Sequence, residues 1–266
     1  MIGSDTPPRT LLLPAAPHRA RCRPLSRPDR ATSMGQRVWL FDLDNTLHDC
    51  SRGIFEAIHE NMTEAVMDAL GVDMGEAHRL RVMYWRRYGA TVIGMVRHHG
   101  VDAAAFLERS HRFDPAPLVR SESGLADKLR GLRGRKILLT NAPLEYARTV
   151  LKTLGILQQF ESLWAIDHMV LQGRIKPKPS AALMRQVLAR VRQPASNVVL
   201  VEDTLKNLKA ARRLGMKTVH IFHPGTPFSG LHAGRSPYVD MRVNAIGKLL
   251  TTRHPLRGQT HGWSCN

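Results

Sequence analysis

Two acidic residues follow directly on a short apolar run, residues 38–41. Asp42 and Asp44 are separated by one residue, so in an extended segment their side chains point to the same side. Carboxylates held this close repel each other, and a divalent cation such as Mg2+, which prefers oxygen ligands, would relieve the repulsion. A turn at Asn45 and Thr46 after a strand would explain the same residues without a metal. The rest of the chain decides between these two interpretations.

A second acidic pair ends another apolar run. Glu202 and Asp203 follow residues 198–201, which have the composition of a strand buried on both faces. Acids at the end of a buried strand repeat the arrangement at residues 38–44. The repetition favours a metal site over a simple turn.

Polar residues also follow the apolar run 137–139. Thr140 and Asn141 come next and precede Pro143, a residue suited to the start of a helix. A hydroxyl, an amide and free backbone N–H groups at a helix N-terminus can hold a phosphate. Either side chain could instead cap the helix.

A loop stiffened by two prolines, residues 175–179, carries Lys176 and Lys178. Such a loop could fix one lysine near the acids. We expect that lysine to be Lys176, and we expect Lys178 to be a solvated loop residue.

The elements that position these residues alternate from residue 121 onward. The patterns predict helices over residues 121–132, 143–154, 180–191 and 205–214, and strands over residues 136–139, 162–166, 197–201 and 217–222. Alternating strands and helices favour an α/β fold with a doubly wound parallel sheet, in which ligands bind at the carboxyl ends of the strands. All the polar residues above lie at such ends.

The segment between the first strand and this series is predicted to be helical throughout. Four helices are expected, over residues 51–71, 75–88, 90–99 and 102–113. We therefore expect a core domain from residues 34–49 and 115–252, and an inserted all-helical cap domain from residues 50–114. Residues 1–33 are expected to be a disordered or non-native leader, with an organellar transit peptide as an alternative, and residues 253–266 a disordered tail.

Composition narrows the class of protein. The chain has 266 residues and a formal net charge of +17, and it contains no apolar run of the ~20 residues that cross a bilayer. The three cysteines, Cys22, Cys50 and Cys265, favour a reducing cytoplasm over a disulfide framework. No histidine or cysteine spacing typical of zinc sites occurs, so a zinc site is not expected. The basic residues are spread along the chain, which favours an anionic small substrate over nucleic acid.

Four short segments resemble, in the same order, the four motifs of the haloacid dehalogenase superfamily. They are Asp42-Leu43-Asp44-Asn45-Thr46, Thr140-Asn141, Lys176-Pro177-x-Pro179 and Glu202-Asp203. The resemblance covers residues 36–250. It implies a Rossmann-like core with a helical cap of the C1 type, inserted after the first motif.

The resemblance also implies a mechanism. Asp42 would be the nucleophile that forms an aspartyl-phosphate, and Asp44 would transfer protons. Mg2+ would be held by Asp42, the backbone carbonyl of Asp44, Asp203 and Glu202. Thr140, Asn141 and Lys176 would bind the phosphoryl oxygens, and Lys176 would also restrain Asp42. Because dehalogenases of this superfamily lack the second acid, Asp44 favours a phosphatase; Asn207 stands where a further acid is common.

Substrate choice would fall to the cap. Tyr84, Arg87, Tyr88 and Thr91 place aromatic, basic and hydroxyl groups around one helix end, where they could bind a base and an anion. This segment and the first and fourth motifs resemble the pyrimidine 5'-nucleotidase branch, which implies a nucleoside monophosphate such as UMP or CMP.

Three alternatives remain. The same motifs serve phosphoglycolate or sugar-phosphate phosphatases, and also sugar phosphomutases of the beta-phosphoglucomutase type. A basic nucleic-acid-binding protein with an idle fold is the third alternative, and the complete set of motifs argues against it. We expect a cytoplasmic monomer or homodimer that acts on a small phosphorylated metabolite, with no membrane partner.

Overall fold

The computed structural model describes residues 36–222 and 236–251. The predicted leader, residues 1–33, and tail, residues 253–266, lie outside these residues. Within them, no helix is long and apolar enough to cross a membrane.

Six parallel strands form the central sheet. They are β1 (Val38–Phe41), β2 (Arg135–Leu139), β3 (Ser162–Trp164), β6 (Val198–Glu202), β7 (Lys217–Ile221) and β8 (Met241–Val243), and their order across the sheet is β3-β2-β1-β6-β7-β8. A separate antiparallel hairpin consists of β4 (Val170–Leu171) and β5 (Arg174–Ile175). The predicted doubly wound parallel sheet is confirmed. Because β1 lies at its centre between β2 and β6, the residues that follow these three strands meet at one edge.

Both faces of the sheet are covered. Trp39 and Phe41 of β1 belong to one buried apolar cluster, while Val38 and Leu40 belong to another on the opposite face. Alternate residues of a strand point to opposite faces, so a strand that is apolar throughout must be covered on both. The helices outside the insert are α5 (Leu125–Gly131), α6 (Leu144–Thr153), α7 (Ala181–Val191), α8 (Leu205–Arg213) and α9 (Lys248–Thr251).

Four helices follow β1, as predicted. They are α1 (Ile54–Leu70), α2 (Met74–Tyr88), α3 (Thr91–His99) and α4 (Ala103–Ser110). Helix α2 ends at Gly89, whose φ of 84° is a left-handed conformation that glycine adopts at no steric cost. These helices share an apolar cluster that is distinct from those on the sheet and that also includes Ile166. Their assignment as an independent cap domain stays a prediction.

Candidate active site

The first acid of the site lies at the middle of the sheet edge. Asp42 follows β1, and its N–H donates to the carbonyl of Val201 in β6 at 3.0 Å. Because Phe41 pairs with Val201, the next residue of β6, Glu202, lies beside Asp42. Asp42 and Glu202 are both buried. The parallel register thus brings together two acids that are 160 residues apart in the sequence.

One lysine joins these two carboxylates, and it is Lys178. Its Nζ lies 2.7 Å from Oδ1 of Asp42 and 2.7 Å from Oε2 of Glu202. Lys178 is 2% exposed, whereas Lys176 is exposed to solvent. The prediction that Lys178 is a solvated loop residue and that Lys176 restrains Asp42 was therefore wrong. The sequence could not identify which lysine reaches the acids, because Asn141, which is distant along the chain, binds the backbone of Lys178.

Asn141 fixes the backbone of that lysine. Its Nδ2 donates to the carbonyl of Lys178 at 3.0 Å, and its Oδ1 accepts from the N–H of Lys178 at 2.9 Å. The amide predicted to bind phosphate is thus engaged with the lysine loop. The neighbouring Thr140 is buried and accepts from the N–H of Ala142 at 3.1 Å, a bond that does not use the hydroxyl proton. Thr140 thus retains its hydroxyl proton for a phosphoryl oxygen, and the Asn141 amide retains its second N–H.

Among the residues that the structure describes, three carboxylates and one ammonium meet at this edge. Oxygen atoms of Asp42, Glu202 and Asp203 all lie within 4.8 Å of one another. When all three carboxylates are ionised, they and the Lys178 ammonium together carry two excess negative charges. An all-oxygen set with this charge fits Mg2+, which prefers hard oxygen ligands.

The protonation of these groups reflects the crowding. Burial and the proximity of Glu202 raise the pKa of Asp42 well above its usual value, although Lys178 opposes the shift. Burial and Asp42 together raise the pKa of Asp203 to about 6. Burial alone would lower the pKa of Lys178, but Asp42 and Glu202 outweigh it and raise the pKa. The carboxylates therefore need a cation if all three are to be ionised near neutral pH.

A second group of side chains surrounds Asp44. Its Oδ1 lies 2.9 Å from Nε2 of His48 and accepts from the Tyr146 hydroxyl at 2.8 Å and the Cys50 thiol at 3.3 Å. Burial alone would raise the pKa of Asp44, but His48, Tyr146 and Cys50 together lower it. Asp44 thus favours its ionised form here. None of these three partners was predicted from the sequence. His48 and Cys50 are close to Asp44 along the chain, while Tyr146 comes from α6.

The turn considered as an alternative to a metal site is also present. Asn45 has a φ of 56°, and its Oδ1 accepts from the N–H of Cys50 at 3.0 Å. The N–H of Leu47 donates to the carbonyl of Leu43 at 2.9 Å. This turn brings His48 and Cys50 back onto Asp44. The turn and the acidic site are one structure, because the turn positions the second acid.

The predicted cap residues divide into two groups. Tyr84 and Thr91 are buried; the Tyr84 hydroxyl lies 2.7 Å from Nε2 of His99, and the Thr91 hydroxyl donates to the carbonyl of Arg81 at 3.1 Å. Arg87 is exposed and Tyr88 is half-buried. The Cζ atom of Arg87 lies 5.5 Å from the centroid of the Tyr88 ring. Burial favours a packing role for the first pair and leaves the second pair accessible to a ligand.

The insert touches the site at the end of α2. A Cβ atom built on Gly89 would lie 3.2 Å from the carbonyl oxygen of Lys178. Gly89 follows Tyr88 directly. The accessible pair is therefore adjacent in sequence to a residue that contacts the lysine loop. Asn207, where a further acid is common, is buried in the first turn of α8.

Comparisons with known proteins identify the family of the chain. A family model described as haloacid dehalogenase-like hydrolase matches residues 37–215. The chain is 30% identical to the plasmid phosphoglycolate phosphatase of Cupriavidus necator, over 80% of this chain and 92% of that one. It is 26% identical to phosphate metabolism protein 8 of Saccharomyces cerevisiae, over 71% of this chain but only 61% of the yeast protein.

A solved structure matches the fold. The crystal structure of a HAD phosphatase from Thermococcus onnurineus superposes with a TM-score of 0.56, at 18% identity, over 81% of this chain and 96% of that one. At this identity the match concerns the fold of the chain.

Proposed function

Because the chain belongs to the haloacid dehalogenase-like hydrolase family, we propose that it hydrolyses phosphomonoesters through a covalent intermediate on Asp42. The observation that carries this proposal is the Lys178 ammonium held between Asp42 and Glu202, beside Asp203 and at the carboxyl ends of β1 and β6. Such a site combines a carboxylate nucleophile with the positive charge that an anionic substrate requires.

In the first step the Asp42 carboxylate attacks phosphorus, and the bond from phosphorus to the alcohol oxygen of the substrate breaks. The alcohol leaves with a proton, and Asp42 holds the phosphoryl group as an acyl phosphate. Lys178 offsets negative charge on the attacking carboxylate and the phosphoryl oxygens, with Thr140 as a further donor. Asn141 keeps Lys178 in register through its backbone.

Asp42, Glu202, Asp203 and the backbone carbonyl of Asp44 would hold Mg2+. When bound, Mg2+ neutralises charge on the phosphoryl oxygens and orients the phosphoryl group for in-line attack. The two excess negative charges of the cluster support this assignment.

Asp44 would transfer both protons, giving one to the leaving alcohol and then taking one from the water that hydrolyses the intermediate. Its lowered pKa suits the second role, in which it must be a carboxylate. In the first role the proton would sit on Oδ2 of Asp44, because His48, Tyr146 and Cys50 all contact Oδ1. His48, Tyr146 and Cys50 thus hold the resting, ionised form.

For the substrate we propose a small phosphorylated metabolite admitted under a cap formed by residues 50–114. Exposed Arg87 and half-buried Tyr88 support a pyrimidine nucleoside monophosphate such as UMP or CMP, because an aromatic ring can stack on a base and arginine can bind an anion. Similarity to a phosphoglycolate phosphatase supports phosphoglycolate or a sugar phosphate equally well. These are the two candidate substrate classes.

A screen of the full chain with Mg2+ tests the proposal and separates the two classes. The panel holds UMP, CMP, AMP, 2-phosphoglycolate and hexose phosphates, and inorganic phosphate is measured. We expect release from one class, and no release above background from Asp42→Asn. Equal release by Asp42→Asn would refute the nucleophile. An isomerised sugar phosphate without free phosphate would instead identify a mutase.

A further inference from the structure

Asp44, His48 and Cys50 present three different ligand atoms to one point beside the acidic cluster. The ligand atoms are a carboxylate oxygen, an imidazole nitrogen and a thiol sulfur, all within 4.8 Å of one another. His48 and Cys50 are buried. The side chain of Asp44 is 21% exposed, so an ion can reach the three ligand atoms past Asp44. We propose that these three residues form a second metal site, which binds Zn2+.

The distances are close to those of a zinc coordination shell. Sγ of Cys50 lies 3.4 Å from Nε2 of His48 and 3.3 Å from Oδ1 of Asp44, and the nitrogen and oxygen are 2.9 Å apart. Tetrahedral zinc with bonds of about 2.3 Å to sulfur and about 2.0 Å to nitrogen or oxygen places its ligands about 3.3–3.5 Å apart. The three atoms need to separate by only a few tenths of an ångström. Three protein ligands would leave one position for water, as in open zinc sites.

The ligand chemistry separates this site from the one next to it. Asp42, Glu202 and Asp203 supply oxygen alone, which suits Mg2+. A thiolate and an imidazole are softer ligands, which favour zinc over magnesium. When the ion binds, the Cys50 thiol loses its proton to solvent. The sequence did not predict this site because Asp-x-x-x-His-x-Cys lacks the usual zinc spacing; the turn at Asn45 closes it.

Zinc here would remove Asp44 from proton transfer, a consequence that rests on the proposed function. One Asp44 oxygen would be a ligand, and the positive charge of the ion would make the other too weak a base to exchange protons with the leaving alcohol or the attacking water. Zinc would therefore inhibit the phosphatase while Mg2+ remains at the neighbouring carboxylates. Binding itself does not depend on the proposed function.

Cobalt binding tests the site without using activity. Co2+ is titrated into full-length Cys22→Ser/Cys265→Ser protein in the presence of Mg2+, so that Cys50 is the only cysteine. We expect a sulfur-to-cobalt charge-transfer band that saturates at one equivalent and that Zn2+ abolishes. The further change Cys50→Ser should remove the band, and His48→Gln should weaken cobalt binding at least about tenfold. Absence of the band, or its persistence in the Cys50→Ser variant, would overturn the site.

Inhibition is measured with p-nitrophenyl phosphate at saturating Mg2+, with each variant compared with its own zinc-free rate. The additional Cys50→Ser change should raise the zinc concentration for half inhibition at least about tenfold, since it removes one of three ligands. Equal zinc sensitivity of both variants would place the inhibitory ion at Asp42, Glu202 and Asp203 and overturn the inhibitory role. If no variant hydrolyses phosphate esters, the proposed function fails, and the cobalt spectra still decide the zinc site.

Discussion

The side-chain amide of Asn141 forms two hydrogen bonds with the backbone of Lys178, one to its N–H at 2.9 Å and one to its carbonyl at 3.0 Å. This pairing links the residues after β2 to the loop before α7. The two hydrogen bonds position the loop so that the Lys178 ammonium contacts the carboxylates of Asp42 and Glu202. The position of the charge in the site thus depends on two hydrogen bonds that Asn141 forms with the backbone of Lys178.

Asn141→Asp tests this dependence. Aspartate can still accept from the N–H of Lys178, but its ionised carboxylate repels the carbonyl that Asn141 binds. Because a buried carbonyl left without a donor costs about 1–3 kcal/mol, we expect the free energy of unfolding to fall by about that amount. Turnover should fall as well, because Lys178 shifts. Denaturant unfolding and phosphate release measure the two effects.

The control for this variant is Asn61→Asp. Asn61 donates to the carbonyl of Ala57 within α1 at 2.9 Å. Its effect should be confined to stability, with turnover unchanged. Full activity in Asn141→Asp would show that Lys178 keeps its place without the amide.

The two lysines of the proline loop should differ sharply when each is replaced by methionine. Lys178→Met leaves the buried carboxylates of Asp42 and Glu202 without their cation, so at neutral pH we expect a loss of about 3–5 kcal/mol in the free energy of unfolding. It should also abolish turnover. Lys176→Met changes an exposed residue, with an expected effect within about 0.5 kcal/mol. Loss of turnover in Lys176→Met, with a normal fold, would return the phosphate-binding role to Lys176.

Lys176 and Lys178 show which features of the site could not be predicted from the sequence. The alternation of strands with helices predicted the parallel sheet, and the acids that follow apolar runs were predicted to lie at strand ends, because both features depend on local pattern. The identity of the buried lysine depends on Asn141, a contact across 37 residues. Tyr146 contacts Asp44 across 102 residues, and no local pattern signals that pair. Strand β8 was also missed, since its three residues are too short for alternation to be visible.

The response to Mg2+ should depend on pH. In the metal-free folded protein the pKa of Asp203 is raised to about 6, which is above the pKa of the same group in the unfolded chain. At pH values between these two pKa values, Asp203 binds more protons in the folded state than in the unfolded state. The contribution of Asp203 to the free energy of unfolding of the metal-free protein therefore falls as pH rises towards 6. Mg2+ requires ionised carboxylates, so the rise in Tm that it causes should be larger at pH 7.5 than at pH 5.

Thermal unfolding with Mg2+ or with EDTA at the two pH values measures this difference. Asp203→Asn should reduce the rise in Tm at pH 7.5. Activity lost in EDTA should return when Mg2+ is added back. A rise in Tm that is the same at both pH values, or larger at pH 5, would contradict a magnesium site made of these carboxylates.

Asp44→Asn should separate the two proton transfers. General acid–base catalysis contributes about 10²–10⁴-fold, so turnover of an alkyl phosphate should fall by that factor. p-Nitrophenolate is a stable leaving group that needs no proton, so Asp42 in this variant can still be phosphorylated by p-nitrophenyl phosphate. The intermediate then breaks down slowly because no base activates water. We expect a burst of p-nitrophenolate of one equivalent per active site, followed by a slow steady state.

Asp42→Asn is the matched control and should show no burst. The same fractional loss on both substrates, without a burst, would mean that Asp44 acts in neither step as proposed.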